Sequence, residues 1–233
     1  MKKSFLLLCL LGGLLASAQK IIRDTNAQTR PVGHFHAVEV SRGVDLYLRY
    51  GDEALAVSAT EPHFRDRIKT SIKNGVLKIG YMFKDLKDFK VSSSKSLKAY
   101  VSYKELEALK ASDNSDIKVE GTIKSDQLSI NLFGSSDFNG VVEVRKLKVN
   151  QSGISDANIN GTAADVSIGA KGSSDFNGFG LIAENCSIHA SGNSDVQITA
   201  NRTLNGKIIG GSDIFYKGMA TVQWSGSRAG IKK

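Results

Sequence analysis

Six Ser-Asp pairs, each followed by an apolar residue, are the groups in this sequence whose type and spacing could do chemistry. They are Ser115-Asp116, Ser136-Asp137, Ser155-Asp156, Ser174-Asp175, Ser194-Asp195 and Ser212-Asp213. Successive aspartates stand 21, 19, 19, 20 and 18 residues apart. If that period is one turn of a stacked repeat, the carboxylates fall in a column about 4.8 Å apart and repel unless something compensates them. A hard cation such as Ca²⁺ could bridge such a column through its oxygens. Calcium-binding β-helices, however, repeat a glycine-rich nonapeptide that is absent here. The plainer reading is structural: the serines and local backbone N–H groups satisfy each aspartate in an Asx-type turn, so the pairs are expected to hold corners.

The other reactive side chains read the same way. Cys186 is the one cysteine after residue 18, so no internal disulfide is available to the rest of the chain. It occupies the column position of Leu128, Leu147, Val166 and Leu204, which makes it a small apolar core residue. His189 falls on the opposite strand face by parity, so Cys186 has no base beside it. His34 and His36 share a strand face and could ligate a metal, but no Cys or carboxylate cluster joins them, and His63 stands apart. Glu143 and Asp165 are acids on outward positions, yet no spacing picks out a carboxylate pair for glycoside chemistry. No residue is therefore assigned as catalytic, cofactor-binding or metal-ligating, no cofactor is expected, and the chain is not expected to be an enzyme.

The elements that must position the pairs emerge when the repeats are aligned on their aspartates. Three residues earlier stand Gly134, Gly153, Gly172, Gly192 and Gly210, with Asp113 in the first repeat. Both residue types suit a turn that needs positive φ or a backbone cap. Ahead of each corner runs a period-2 pattern: Leu128/Ile130/Leu132, Leu147/Val149/Gln151, Val166/Ile168/Ala170, Cys186/Ile188/Ala190 and Leu204/Gly206/Ile208. The intervening residues are polar or small, which gives one dry and one wet face. Behind each corner a further strand starts at Ile117, Phe138, Ala157, Phe176, Val196 or Ile214, with asparagine next at Asn139, Asn158 and Asn177. Two or three short strands per unit predict an all-β fold, a single-stranded right-handed β-helix or solenoid with coils of about 20 residues. A sandwich or barrel would need antiparallel hairpins, for which Asn139-Gly140, Asn160-Gly161 and Asn177-Gly178 are the available turns. The fixed register of like residues favours stacking.

Residues 1–18 read as a signal peptide: Lys2 and Lys3, an apolar run from Phe5 to Leu15, then Ala16-Ser17-Ala18. The run is shorter than the roughly 20 residues of a membrane span, and Cys9 sits inside it rather than at its end. Residues 19–32 read as a linker, 33–110 as a less regular β region, and 111–233 as the repeat solenoid continuous with it. In the irregular half, Asn74-Gly75 predicts a turn, and residues 81–98 mix charge, aromatics and serines as an excursion from the core. The chain carries a formal net charge of +8. Basic residues crowd between Lys69 and Lys124, where a solvated face competes with attraction to an anionic partner.

From Phe35 to Ile79, with Val44-Asp45-Leu46-Tyr47-Leu48, Gly51-Asp52 and Asn74-Gly75-Val76-Leu77-Lys78-Ile79, the sequence resembles the DUF2807 family, "putative auto-transporter adhesin, head GIN domain". The likeness continues through Leu106-Glu107-Ala108-Leu109-Lys110-Ala111-Ser112 and the Gly-x-Ser-Asp coils to Tyr216-Lys217-Gly218 and Ser225-Gly226. The resemblance implies an exported β-helical protein of Gram-negative, Bacteroidetes-like bacteria, and it brings no catalytic residues. The expected function is that of an exported, non-catalytic binding, adhesin-like or envelope-associated structural module in the periplasm, on the outer-membrane surface or outside the cell. The alternative is a carbohydrate-active β-helix enzyme, a polysaccharide lyase or hydrolase. An anionic polysaccharide or cell-surface glycan is the expected partner; the export signal argues against nucleic acid.

Overall fold

The computed structural model describes residues 24–85, 88, 92–226 and 230–233. Residues 1–18, read as a signal peptide, and Cys9 among them lie outside the described residues. Strands β1 (Gln28–Arg30), β2 (Ala37–Ser41), β3 (Asp45–Tyr50) and β4 (Ala54–Ser58) come first, then one helical turn, α1 (Pro62–Arg65). They are followed by β5 (Ile68–Lys73), β6 (Val76–Tyr81), β7 (Lys98–Tyr103) and β8 (Ala108–Ala111). Five long strands form successive coils: β9 (Ile117–Gly134), β10 (Phe138–Gly153), β11 (Ala157–Gly172), β12 (Phe176–Gly192) and β13 (Val196–Gly210). Shorter β14 (Ile214–Lys217), β15 (Thr221–Gly226) and β16 (Ile231–Lys232) complete the chain.

Strands β9 to β13 pair in parallel, each with the next in sequence order. The result is a β-solenoid of about 6 turns with coils of ~19 residues. Two faces follow from the pairing. The start of β9 lies on β3 and the start of β13 on β14, while the second half of β9 lies on β8 and that of β13 on β15. The bend between the faces does not end the ladder. One continuous strand per coil therefore replaces the two or three short strands read from the sequence, because coil-to-coil hydrogen bonds carry on around the bend.

The irregular half is the beginning of the same stack. β2 continues one face beyond β8, and β3 continues the other beyond β9. Beyond β2 lies β6, then β5 antiparallel to it; beyond β3 lies β7, then β4 antiparallel to β7 and β1 antiparallel to β4. At this end β4 and β5 therefore run against the coils. β1 falls within the stretch read as a linker. β5 and β6 join through Asn74 and Gly75 at φ 53° and 73°, the expected hairpin turn with both central residues at positive φ.

Packing inside the coils conserves volume between neighbouring columns. Ile117, Phe138, Ala157, Phe176, Val196 and Ile214 stack in register and are all 0% exposed. The two Phe rings need the space of the next inward position in their own strands. A Cβ on Gly140 would lie 2.9 Å from Phe138 Cζ, and one on Gly178 would lie 2.3 Å from Phe176 Cε1. Where the column holds Ala157, the next inward residue is the buried Ile159. Asn139-Gly140 and Asn177-Gly178 are thus not hairpin turns; their glycines leave room for aromatic rings in a closely packed core.

Candidate functional site

The Ser-Asp corners are the sites the sequence singled out, and the structure shows what their side chains do. At each corner the chain leaves strand geometry, so two backbone N–H groups lose their carbonyl partners in the ladder. The hydroxyl and the carboxylate replace them. The N–H of Val44 and of Ser115, Ser136, Ser155, Ser174 and Ser194 each donates to the serine Oγ of the following corner, at 3.0–3.4 Å. The N–H of Asp116, Asp137, Asp156, Asp175, Asp195 and Asp213 donates the other way, to the Oδ1 of the preceding corner's aspartate at 2.9–3.3 Å. All six serines are at most 2% exposed.

The expected Asx turns within one coil are therefore replaced by bonds between coils. The structural role holds, but the partner is a coil away. A seventh aspartate, Asp45, heads the column. The sequence hid it because Val44 precedes it and 71 residues separate it from Asp116; the inserted strands β4 to β7 break the period. Among the described residues, no group of three or more His, Cys, Asp or Glu is arranged to hold a metal.

Stacking these carboxylates has an electrostatic cost. Burial, then the charges of Asp137 and Asp175, pushes Asp156 above the usual carboxylate range; burial and Asp116 do the same to Asp45. A raised folded-state pKa means the folded protein holds the proton more tightly than the unfolded chain does. Each of these residues then supports folding most at acidic pH, and the support is lost as pH rises through the raised value. Asp156→Asn keeps an oxygen acceptor for the Asp175 N–H without the charge. It should melt about 2 °C above the wild type at pH 7, the shift that somewhat less than 1 kcal/mol gives in a domain of this size. The advantage should vanish below the ordinary carboxyl value of 3.8. A pH series of thermal melts checks this, and an advantage that persists under acid would contradict it.

A groove of about 920 Å³ lies over the mid-strand bend of β9–β13, reaching His36 and Glu107 beside β2 and β8. The ladder sets its wall in columns: Gln127, Lys146, Asp165, Asn185 and Thr203 lie in register, one per coil. Arg145 clamps Asp126 through two bonds, of 2.6 and 2.8 Å. Asn185 Nδ2 donates to Asp165 at 3.0 Å, and Thr203 Oγ1 donates to Asn185 Oδ1 at 2.9 Å. The central acids are thus held by neighbours within the chain. Sequence reasoning missed the groove because the residues forming it are adjacent only across coils; the column alignment was the available signal.

The remaining predicted residues are scattered. Cys186 lies under the groove at 2% exposure, and burial pushes its thiol up to about 12, well away from a thiolate nucleophile at neutral pH. His34 pairs with Glu53 at 2.9 Å, whereas His36 lies against Gly75 and lines the groove, so the two do not converge as ligands. His63 packs on Phe64 beside Glu61. Glu143 pairs with Lys124 at 2.6 Å, not with Asp165. Part of the basic stretch is likewise paired: Lys78 and Lys110 share Glu39, Lys95 meets Asp88, and Lys104 meets Asp52.

Residues 34–220 match the DUF2807 family, described as "Putative auto-transporter adhesin, head GIN domain". No curated protein matches the sequence. A putative adhesin of Bacteroides fragilis is similar in structure, with a TM-score of 0.75 at 19% identity, covering 89% of this chain and 92% of that one. A putative adhesin of Parabacteroides distasonis gives a TM-score of 0.67 at 20% identity, covering 89% and 93%. A protein of the same species described as a putative lipid binding protein gives 0.66 at 18% identity, covering 90% and 97%. At these identities the likeness is one of fold.

Proposed function

This chain belongs to the DUF2807 family, and from that premise we propose that it is an exported, non-catalytic β-solenoid serving as an adhesin-like or envelope-associated binding module. The observation that carries the reading is the state of the groove. Its central carboxylates, Asp126 and Asp165, are committed to Arg145 and Asn185 within the chain. Neither is poised as a general acid or base, and the buried Cys186 is no nucleophile. What the coils offer is a rigid, extended surface with hydroxyls, amides and charges at fixed intervals, suited to holding an extended polar ligand such as a cell-surface glycan. Export rests on the composition of residues 1–18. It fits the described residues, among which no helix is long and apolar enough to cross a membrane.

The test is a glycan array probed with the protein lacking residues 1–18, followed by incubation of every retained glycan and analysis by mass spectrometry. Retention without new reducing ends is expected. Release of shortened products would replace this reading with that of a carbohydrate-active enzyme.

A further inference from the structure

One column of side chains is used neither by the corners nor by the groove. Two residues past the corner aspartates, on the face made by the first halves of β10–β13, Asn139, Asn158, Asn177 and Gln197 point outward in ladder register. None of these four amides is hydrogen-bonded by its side chain within the described residues. Some amides elsewhere in the solenoid are engaged: Asn150 donates to Asn131 at 2.9 Å, and Asn185 is bonded on both sides in the groove.

Aromatic rings border the free amides. The column runs on through Lys118 to Tyr47 and Tyr100, which stack at 5.2 Å, and at its other end to Phe215. Phe179, half-buried, lies two residues beyond Asn177 on the same side of the strand. Along the opposite flank runs the aspartate column, which uses Oδ1 for the ladder.

Unengaged carboxamides at about 4.8 Å intervals, carboxylate oxygens beside them and, at the margins, rings capped by Lys118, Lys217 and Lys232 form a particular combination. Vicinal hydroxyls can pair with the amides, with the carboxylates and with the lysine ammonium groups that cover those rings. Along the middle of the strip the carboxylates of Asp137, Asp156, Asp175 and Asp195 oppose an anionic polymer, nucleic acid included, by like-charge repulsion, with Lys118 and Lys217 only at its ends. An acyl chain would find polar amides where it needs apolar cover. We propose that this strip binds a neutral glycan chain lying along the solenoid axis. The inference rests on the binding-module reading and adds a second face to it.

Titration calorimetry with neutral hexasaccharides (cello-, manno- and xylohexaose) and with hexagalacturonate tests the strip. The proteins are the wild type, Asn158→Ala/Asn177→Ala, and the groove variant Lys146→Ala/Lys148→Ala, each first shown to melt cooperatively. Binding of a neutral hexasaccharide is expected, weakened roughly tenfold or more in the strip variant through loss of about two hydrogen bonds, and unchanged in the groove variant. Tighter binding of hexagalacturonate, or full affinity in the strip variant, would overturn the inference. If only the groove variant loses affinity, the strip falls while the binding-module reading stands. If no hexasaccharide binds, the strip is again refuted, and the array still decides the broader reading.

Discussion

Replacing Gly192 by alanine is expected to lower the melting temperature by about 5–15 °C. Gly192 holds φ at 91° at the corner, and a Cβ there would stand 2.4 Å from the Gly172 carbonyl oxygen of the coil below. That oxygen accepts the Asn193 N–H at 2.7 Å, so the methyl group would press on a bond the corner depends on. The left-handed backbone costs a non-glycine residue about 1–2 kcal/mol, and overpacking adds about 1–3 kcal/mol. In a stack where each coil is held mainly by its neighbours, the damage concentrates at one coil interface. Gly134→Ala separates the two causes. Gly134 has a similar φ of 78°, but its Cβ would meet nothing nearer than 3.6 Å. Thermal melts followed by circular dichroism should show the Gly192 variant falling at least twice as far, by roughly the overpacking share. Equal losses would mean that close stacking contributes nothing.

Asp88→Asn should destabilise the N-terminal end of the stack by about 3–5 kcal/mol at neutral pH, the usual cost of breaking a buried ion pair from one side. Lys95 is 0% exposed, with its Nζ 2.9 Å from Asp88 Oδ1 and 5.4 Å from the ring centres of both Phe64 and Tyr81. Arg67 meets the same carboxylate at 2.6 Å, and the Lys84 N–H donates to it at 2.8 Å. Although burial alone would raise it, hydrogen bonds from Lys84 and Lys95 and the charges of Lys95 and Arg67 hold the Asp88 carboxyl down at about 2. With the folded value depressed, the contribution is complete above the ordinary carboxyl value of 3.8 and is lost as pH falls through about 2. The gap between wild type and variant should therefore narrow under strong acid. Hydrogen exchange should show β5 and β6 losing protection before β10–β12. Adding Lys95→Met should recover part of the loss by removing the stranded charge; no recovery would count against the ion-pair account.

The corner illustrates how far a sequence reading reaches in a repeat fold. Glycine, serine and aspartate at a constant offset identify a turn, and the structure places a turn there. Their bonding partners were read as local, but the N–H groups that serine and aspartate accept stand a coil away, and only the hydroxyls of Ser155 and Ser174 also donate to a carbonyl three residues back. A period states that like residues stack, but only the coil-to-coil register shows that serine receives an N–H from one side while aspartate receives one from the other. Asp45 escaped because β4–β7 are inserted into its coil. Asn-Gly at 139–140 and 177–178 looked like turns because local backbone preference cannot weigh the volume of a Phe ring two residues away.

By itself the sequence determined the solenoid, its coil length, its inward columns and the burial of Cys186, since these follow from periodicity and side-chain alternation along one strand. The tertiary structure decided what depends on neighbours a coil apart or on inserted segments: the direction of the Ser-Asp bonds, the reversal of β4 and β5, the ion pairs within the basic stretch, the groove and the free amide strip. The physical reason lies in distance. Residues about 20 apart in sequence lie within about 5 Å in space, so whether a side chain is engaged or free is settled across the stack and not along the chain.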